Sequence, residues 1–191
     1  MACNLSQIKS RKLDETWYLV MNKNRLVWIV AAIGTVLIVS VQYCIRTIFE
    51  SRQPLETIPL LQGILHLTYL RGGAFLSLFN NNVKQLLILS RIGFILFIIA
   101  VTFFISWLLS RWGKEMMKAL QIGVGLILAG AISNTVEQII FNENAVFIDF
   151  RLFQIPVFNL ADMFIYLGQV ISVIYLVFLG IKFAIKQWRT N

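Results

Sequence analysis

Four stretches of this chain are nearly unbroken runs of apolar side chains: Leu26 to about Arg46, about Leu86 to Leu109, about Met117 to Ile139, and about Ala161 to Ile185. A helix of about 20 residues crosses a hydrocarbon core of roughly 30 Å. Each run reaches that length, so the pattern predicts an all-α integral membrane fold, a bundle of four transmembrane helices. The second run is interrupted by Arg91, and the third gathers Ser133, Asn134, Thr135, Glu137 and Gln138 at its end. Between the first two spans lies a long loop, roughly Thr47 to Lys84, in which Pro54 and Pro59 interrupt helix. Its segment Gly63 to Leu70 is β-branched, aromatic and partly alternating, which predicts a strand. Gly72-Gly73 and Asn80-Asn81-Asn82 read as breaks. A small extracytoplasmic β-element, a sheet or hairpin resting on the membrane face, is therefore expected. The run from Ala145 to Phe150 also has strand character.

Composition narrows the class. The chain has 191 residues, of which 58% are hydrophobic and only 14% charged, with a mean hydropathy of +0.76. A soluble domain is not so apolar, and a disordered chain is not so poor in charge. The net charge of +8 would suggest nucleic acid as a partner of a soluble protein. Here the basic residues flank the apolar runs, so they report topology, and no nucleic-acid partner is expected. Lys9, Arg11, Lys12, Lys23 and Arg25 precede the first span. Arg111, Lys114 and Lys118 join the second and third, and Lys182, Lys186 and Arg189 close the chain. The positive-inside rule puts these three regions, and both termini, in the cytoplasm. The expected organisation is a cytoplasmic tail over residues 1–25, a membrane domain over 26–185 and a short tail over 186–191. Trp17, Trp28, Trp107, Trp112 and Trp188 fall near the expected interfaces, as an aromatic belt does.

Two cysteines, Cys3 and Cys44, are too differently placed to suggest a disulfide, and His66 is the single histidine. No metal-ligand spacing exists, so neither metal nor cofactor is expected. No apolar segment precedes Cys3, so neither a lipoprotein processing site nor a cleavable signal peptide is expected.

The candidate chemistry lies in two aspartates. Asp149 stands in Ala145-Val146-Phe147-Ile148-Asp149-Phe150, and Asp162 in Phe158-Asn159-Leu160-Ala161-Asp162. A carboxylate at a bilayer edge is costly to keep and marks a candidate functional site. Taken singly, Asp162 reads as a helix N-terminal carboxylate favoured by the macrodipole, and Asp149 as a solvated loop residue. Asn134, Glu137 and Gln138 share a helical face, which alone reads as interhelical glue. The three groups together predict one site. A close carboxylate pair shares a proton. Its ionised member can activate a water while the protonated member donates to the carbonyl under attack.

At this point the residues resemble a known family. Gly130-Ala131-Ile132-Ser133-Asn134, Phe147-Ile148-Asp149-Phe150 and Ile155-Pro156-Val157-Phe158-Asn159-Leu160-Ala161-Asp162 resemble the bacterial lipoprotein signal peptidase family, signal peptidase II. Leu67-Thr68-Tyr69-Leu70-Arg71-Gly72-Gly73-Ala74-Phe75 resembles its outer-loop motif. The resemblance implies a membrane aspartic endopeptidase of the bacterial cytoplasmic (inner) membrane, working near the extracytoplasmic face on diacylglyceryl-modified prolipoproteins. Asp149 and Asp162 would be its catalytic dyad. Asn134, Asn159, Gln42, Arg71, Gly73, Ala74 and Phe75 would bind substrate or support the site. Signal peptides and membrane lipids would be the partners of a monomer. The chain departs from the family pattern where Gln138 stands in place of an arginine, and where Arg46 follows Gln42 one place late for the family's lysine. Arg151 is a candidate substitute for the missing arginine. The alternative reading is a peptidase-fold protein that binds signal peptides, or another membrane partner, without cutting. A transporter ranks third, because no broken helices or inverted repeats are visible. His66 reads as a surface strand residue. Arg91 reads as snorkelling to the outer headgroups, with an ion pair to Glu137 as the sharper alternative.

Overall fold

The computed structural model describes residues 22, 24–50, 57–61, 64–70, 81–111, 118–141, 144–151 and 156–190. Helices α1 (Arg25–Glu50), α2 (Asn81–Arg111), α3 (Lys118–Phe141) and α4 (Leu160–Thr190) alternate with strands β1 (Thr57–Leu61), β2 (Leu65–Leu70) and β3 (Val146–Phe150). Each helix carries a stretch long and apolar enough to cross a membrane. The reason is the one the apolar runs express: in lipid, a backbone must satisfy its own hydrogen bonds, and a single segment does that only as a helix. The helices overrun the expected limits at their ends, most of all α2, which begins at Asn81, and α4, which continues to Thr190.

α3 is the central helix. Of its span 56% is buried, against 28% for α1 and 6% each for α2 and α4. Small residues let the neighbours approach. A Cβ on Gly125 would lie 2.7 Å from Val30 Cβ on α1, and one on Gly130 would run into the Ala161 carbonyl oxygen on α4. Such contacts supply the dispersion that holds helices together where no water is excluded. Ile38, Ala129 and Ala161, all fully buried, join α1, α3 and α4 at one level. Deeper along the bundle, Val27, Ala31, Leu120 and Leu128 form a second cluster, against which Trp28 and the α2 residues Ile95, Ile98 and Ile99 pack. Trp28 thus turns inward, its ring 6.0 Å from Phe103. Trp107 and Trp188 stay exposed, and Trp17 and Trp112 lie outside the described residues.

The strands form one antiparallel sheet in the order β1-β2-β3. Pro59 sits in β1, an edge strand, where its missing N–H costs least. β2 fulfils the strand expected from Gly63 to Leu70, and β3 the one expected around Asp149. Phe158 pairs with Ile148 across the far side of β3. Its N–H donates to the Ile148 carbonyl at 3.0 Å and its carbonyl accepts from Ile148 N at 2.8 Å. That bridge delivers the chain directly into the start of α4. Phe49, Ala145 and Phe147 pack the sheet onto the end of α1, with Ile45, Ile58 and Leu67 around them. The C-terminal ends of α1 and α3, the N-terminal end of α4 and the sheet therefore converge at one end of the bundle.

Candidate functional site

Asn159 and Asp162 open α4 as a capping pair. Asp162 N donates to Asn159 Oδ1 at 2.8 Å, and Asn159 N donates to Asp162 Oδ2 at 3.2 Å. Two amides that the helix itself leaves unpaired are satisfied reciprocally, in the manner of a capping box. The other carboxylate oxygen, Oδ1, accepts from Asn134 Nδ2 at 2.9 Å. Asn159 Nδ2 in turn donates to Asn134 Oδ1 at 2.9 Å. Asp162, Asn159 and Asn134 thus close a ring of hydrogen bonds between α4 and α3, and the Asp162 rotamer is held on both oxygens.

Asn144, in the short link between α3 and β3, extends this ring. Its Nδ2 donates to Asn134 O at 2.9 Å, to Asn134 Oδ1 at 3.3 Å and to Glu137 Oε2 at 3.5 Å. Glu137 is buried and highly paired: it accepts from Arg46 Nη2 at 3.3 Å, Gln42 Nε2 at 3.2 Å and Ala145 N at 3.2 Å. Arg46 and Glu137 form an ion pair whose side chains are only 4% and 5% exposed. The Arg46 guanidinium also lies 3.9 Å from the centre of the Phe141 ring. An apolar-walled groove of ≈ 270 Å³ between α1 and α3, lined by Val39, Tyr43, Val136, Ile140 and Phe141, has Gln42 and Glu137 among its lining residues. Gln138 shares the buried face, yet neither of its amide atoms is hydrogen-bonded among the described residues.

Arg91 does not snorkel to the headgroups, and Arg46, not Arg91, bridges to Glu137. From α2 its Nη1 donates to Asn144 Oδ1 at 2.7 Å and to Asn134 O at 3.1 Å. Inside a lipid-facing helix, bonded acceptors on the central helix and its link outcompete a long reach to the interface.

Asp149 lies on β3 in a neighbouring set of its own. Its Oδ2 accepts from Thr68 Oγ1 on β2 at 3.2 Å and from Arg151 Nε at 2.9 Å. Directly opposite Asp149 in the β2–β3 register stands His66. His66 is half-buried, with an inward Nδ1 that has no hydrogen-bond partner among the described residues, so it is not a plain surface residue. Among the described residues, no hydrogen-bond partner is shared between the Asp149 set and the Asp162 ring. The structure therefore brings Asn134, Asn159 and Asp162 together and ties Gln42 to them through Glu137. It sets Asp149 beside them on the sheet. Arg151 serves Asp149 and is not bonded to the Asn134 ring. Arg71, Gly73, Ala74 and Phe75 lie outside the described residues. Also among the described residues, no three His, Cys, Asp or Glu side chains are grouped as metal ligands would be.

Sequence reasoning named Arg46, Arg91 and Thr68 without the bonds they make, and it missed Asn144. A glutamate at the end of one apolar run needs a cation from another, which is the signal for Arg46. Asn144 carries no such signal.

A four-span bundle capped by a small sheet, with a carboxylate held in a polar ring where they meet, is a membrane-protein fold with solved counterparts. Two solved bacterial membrane enzymes, determined by the in meso method, have this fold. One aligns with a TM-score of 0.65 at 18% identity over 78% of this chain and 91% of that one. The other gives 0.61 at 20% identity over 79% and 87%. The family model for signal peptidase (SPase) II matches residues 33–178. The chain is 40% identical over 153 residues to a lipoprotein signal peptidase of Nostoc punctiforme, covering 80% of this chain and 89% of that one. It is 37% identical over 150 residues to that of Microcystis aeruginosa, covering 76% and 88%. This chain belongs to the signal peptidase II family of membrane peptidases.

Proposed function

We propose that this protein removes signal peptides from diacylglyceryl-modified prolipoproteins, with Asp162 and Asp149 as the working carboxylates. The reading is carried by one observation: Asp162 is fixed on both oxygens by Asn134 and Asn159 at the end of the bundle where β3 enters. A carboxylate held in one rotamer needs little reorganisation when it acts on a peptide. In this reading the scissile amide lies between the start of α4 and β3. One carboxylate takes a proton from the attacking water, and the other donates to the carbonyl oxygen. As the tetrahedral diol collapses, the proton taken from water passes to the leaving amine, and the diol returns a proton to the carboxylate that donated one. Thr68 and Arg151 orient Asp149 in the same way that Asn134 and Asn159 orient Asp162. The charge pattern of the loops supports placing this end of the bundle at the extracytoplasmic face, with both termini in the cytoplasm. The protein acts as a monomer with membrane lipids around it, and without a cofactor.

A second reading is favoured by a specific observation. Asp149 and Asp162 are anchored by separate hydrogen-bond sets with no common partner among the described residues. A protein so arranged holds a signal peptide without cutting it. Purified protein mixed with a diacylglyceryl-modified prolipoprotein, and resolved on a gel, separates the two. Cleavage by wild type, abolished in both Asp149→Asn and Asp162→Asn, is the expected result. Undiminished cleavage by Asp149→Asn would remove Asp149 from the chemistry and leave Asp162 to act with another group. Binding of substrate without cleavage by wild type would establish the second reading.

A further inference from the structure

The Asp162 ring is contacted from outside by a residue of α2, a helix only 6% buried over its span. α2 is mostly lipid-facing: Leu86, Leu89, Phe94 and Phe97 are all exposed. Within this helix Arg91 is half-buried, and its Nη1 reaches both Asn144 Oδ1 and the Asn134 carbonyl. A guanidinium only donates. Asn144 must therefore turn Oδ1 to Arg91, which leaves its Nδ2 facing Asn134 and Glu137. Asn134 then meets a donor on its Oδ1 side and presents Nδ2 to Asp162 Oδ1. Asn159 Nδ2 donates to the same Oδ1 and enforces the same orientation of Asn134. Without Arg91, Asn144 keeps its Nδ2 bonds to the Asn134 and Glu137 oxygens but its Oδ1 loses its donor, so the side chain is held from one side only. An unmet carbonyl beside the ring loosens it.

We infer that Arg91 is a positioning residue for the reaction. It acts through Asn144 and Asn134 to hold Asp162 in its working rotamer, and it couples the seating of α2 to the readiness of the site. This rests on Asp162 being a working carboxylate, as proposed above. Arg91 touches neither Asp162 nor substrate in this role. Both of its bonds leave one nitrogen, so a lysine ammonium with its three donors can replace them. Methionine keeps an unbranched apolar stem and its fit to lipid but supplies no donor.

The test measures kcat and KM for prolipoprotein cleavage, with thermal unfolding in the same detergent. Arg91→Met is expected to lower kcat about tenfold to a hundredfold, the scale of a small misplacement of a reacting group, while KM stays within about threefold. Arg91→Lys is expected to return kcat to within about threefold of wild type. Asn144→Leu should lower kcat in the wild-type background but add little to Arg91→Met, because members of one network do not act additively. Wild-type kcat in Arg91→Met would overturn the inference. So would an equal loss in Arg91→Met and Arg91→Lys that follows a loss of thermal stability, which would make Arg91 a tether for α2. If Arg91→Met does not fold, Arg91→Gln takes its place: a reduced kcat at unchanged KM supports the coupling, and a wild-type kcat overturns it. Asp162→Asn runs beside these. Full cleavage by that variant would overturn the proposed function and this inference together. An inactive Asp162→Asn with a fully active Arg91→Met would overturn this inference alone.

Discussion

Asn159 and Asp162 cap each other's backbone amides across the first turn of α4, and the same two side chains both bond to Asn134. Helix start and candidate site are thus one structure, and the two contributions can be separated. Asn159→Ala removes the cap and the Nδ2 donor together, and is expected to cost about 0.5–2 kcal/mol of stability as well as activity. Asn159→Ser keeps an N-cap oxygen but not the donor to Asn134. It should unfold at close to the wild-type temperature while still losing turnover. Equal thermal losses in both variants would show that the bond to Asn134, not the cap, carries the stability.

Arg46 and Glu137 bring the end of α1 onto α3 through a buried ion pair. Removing one member leaves an uncompensated charge in a low-dielectric setting, so Arg46→Met alone is expected to cost about 3–5 kcal/mol. The double variant with Glu137→Gln should recover a large part of that, because no charge is then left buried. Denaturant unfolding in mixed micelles checks this. A double variant less stable than Arg46→Met would mean that Glu137 is held mainly by Gln42, Asn144 and the Ala145 amide.

Thr68 Oγ1 donates to Asp149 Oδ2. Thr68→Val is nearly isosteric and removes that donor. If Asp149 takes part in cleavage, kcat should fall about tenfold, which corresponds to about 1.4 kcal/mol of orientation lost. Thr68→Ser should stay near wild type. Steady-state cleavage of the same prolipoprotein reads both, and indifference to Thr68→Val would argue for the non-cleaving or single-aspartate arrangement.

Two glycines offer a contrast in packing. A Cβ at Gly130 would meet the Ala161 carbonyl and lie 2.7 Å from Ile165 Cγ1, whereas nothing lies within 4 Å of one at Gly93. Gly130→Ala must push α4 from α3 and is expected to destabilise by about 1–3 kcal/mol. Because Asp162 rides on α4, cleavage should fall with it. Gly93→Ala should be neutral, or stabilising by up to about 1 kcal/mol through helix propensity. Thermal unfolding of the two variants side by side makes the comparison.

The legible part of this protein is the part written in local pattern. The apolar runs of about 20 residues are legible because the bilayer imposes a length and demands internally bonded backbone, and both constraints act on consecutive residues. β2 and β3 were readable from β-branched and aromatic runs, although β1, with Pro59 inside it, was not separately predicted. Asp162 and Asn159 were legible as partners because three residues span one helical turn. Asn134 was visible as polar in an apolar segment, which is costly without a purpose.

What the sequence by itself determined is therefore a four-span membrane protein of the signal peptidase II family, with Asp149, Asp162, Asn159 and Asn134 among its site candidates. Only the tertiary structure decided who holds whom. Arg46 reaches Glu137, Arg91 reaches Asn144, and Thr68 and His66 come to face Asp149, each across a large separation in the chain. Those pairings follow from which helix faces pack on α3 and from the register of β2 against β3. Packing and register are properties of several segments at once, set by close approach at small residues and by backbone hydrogen bonds between strands. No single stretch of sequence carries that information.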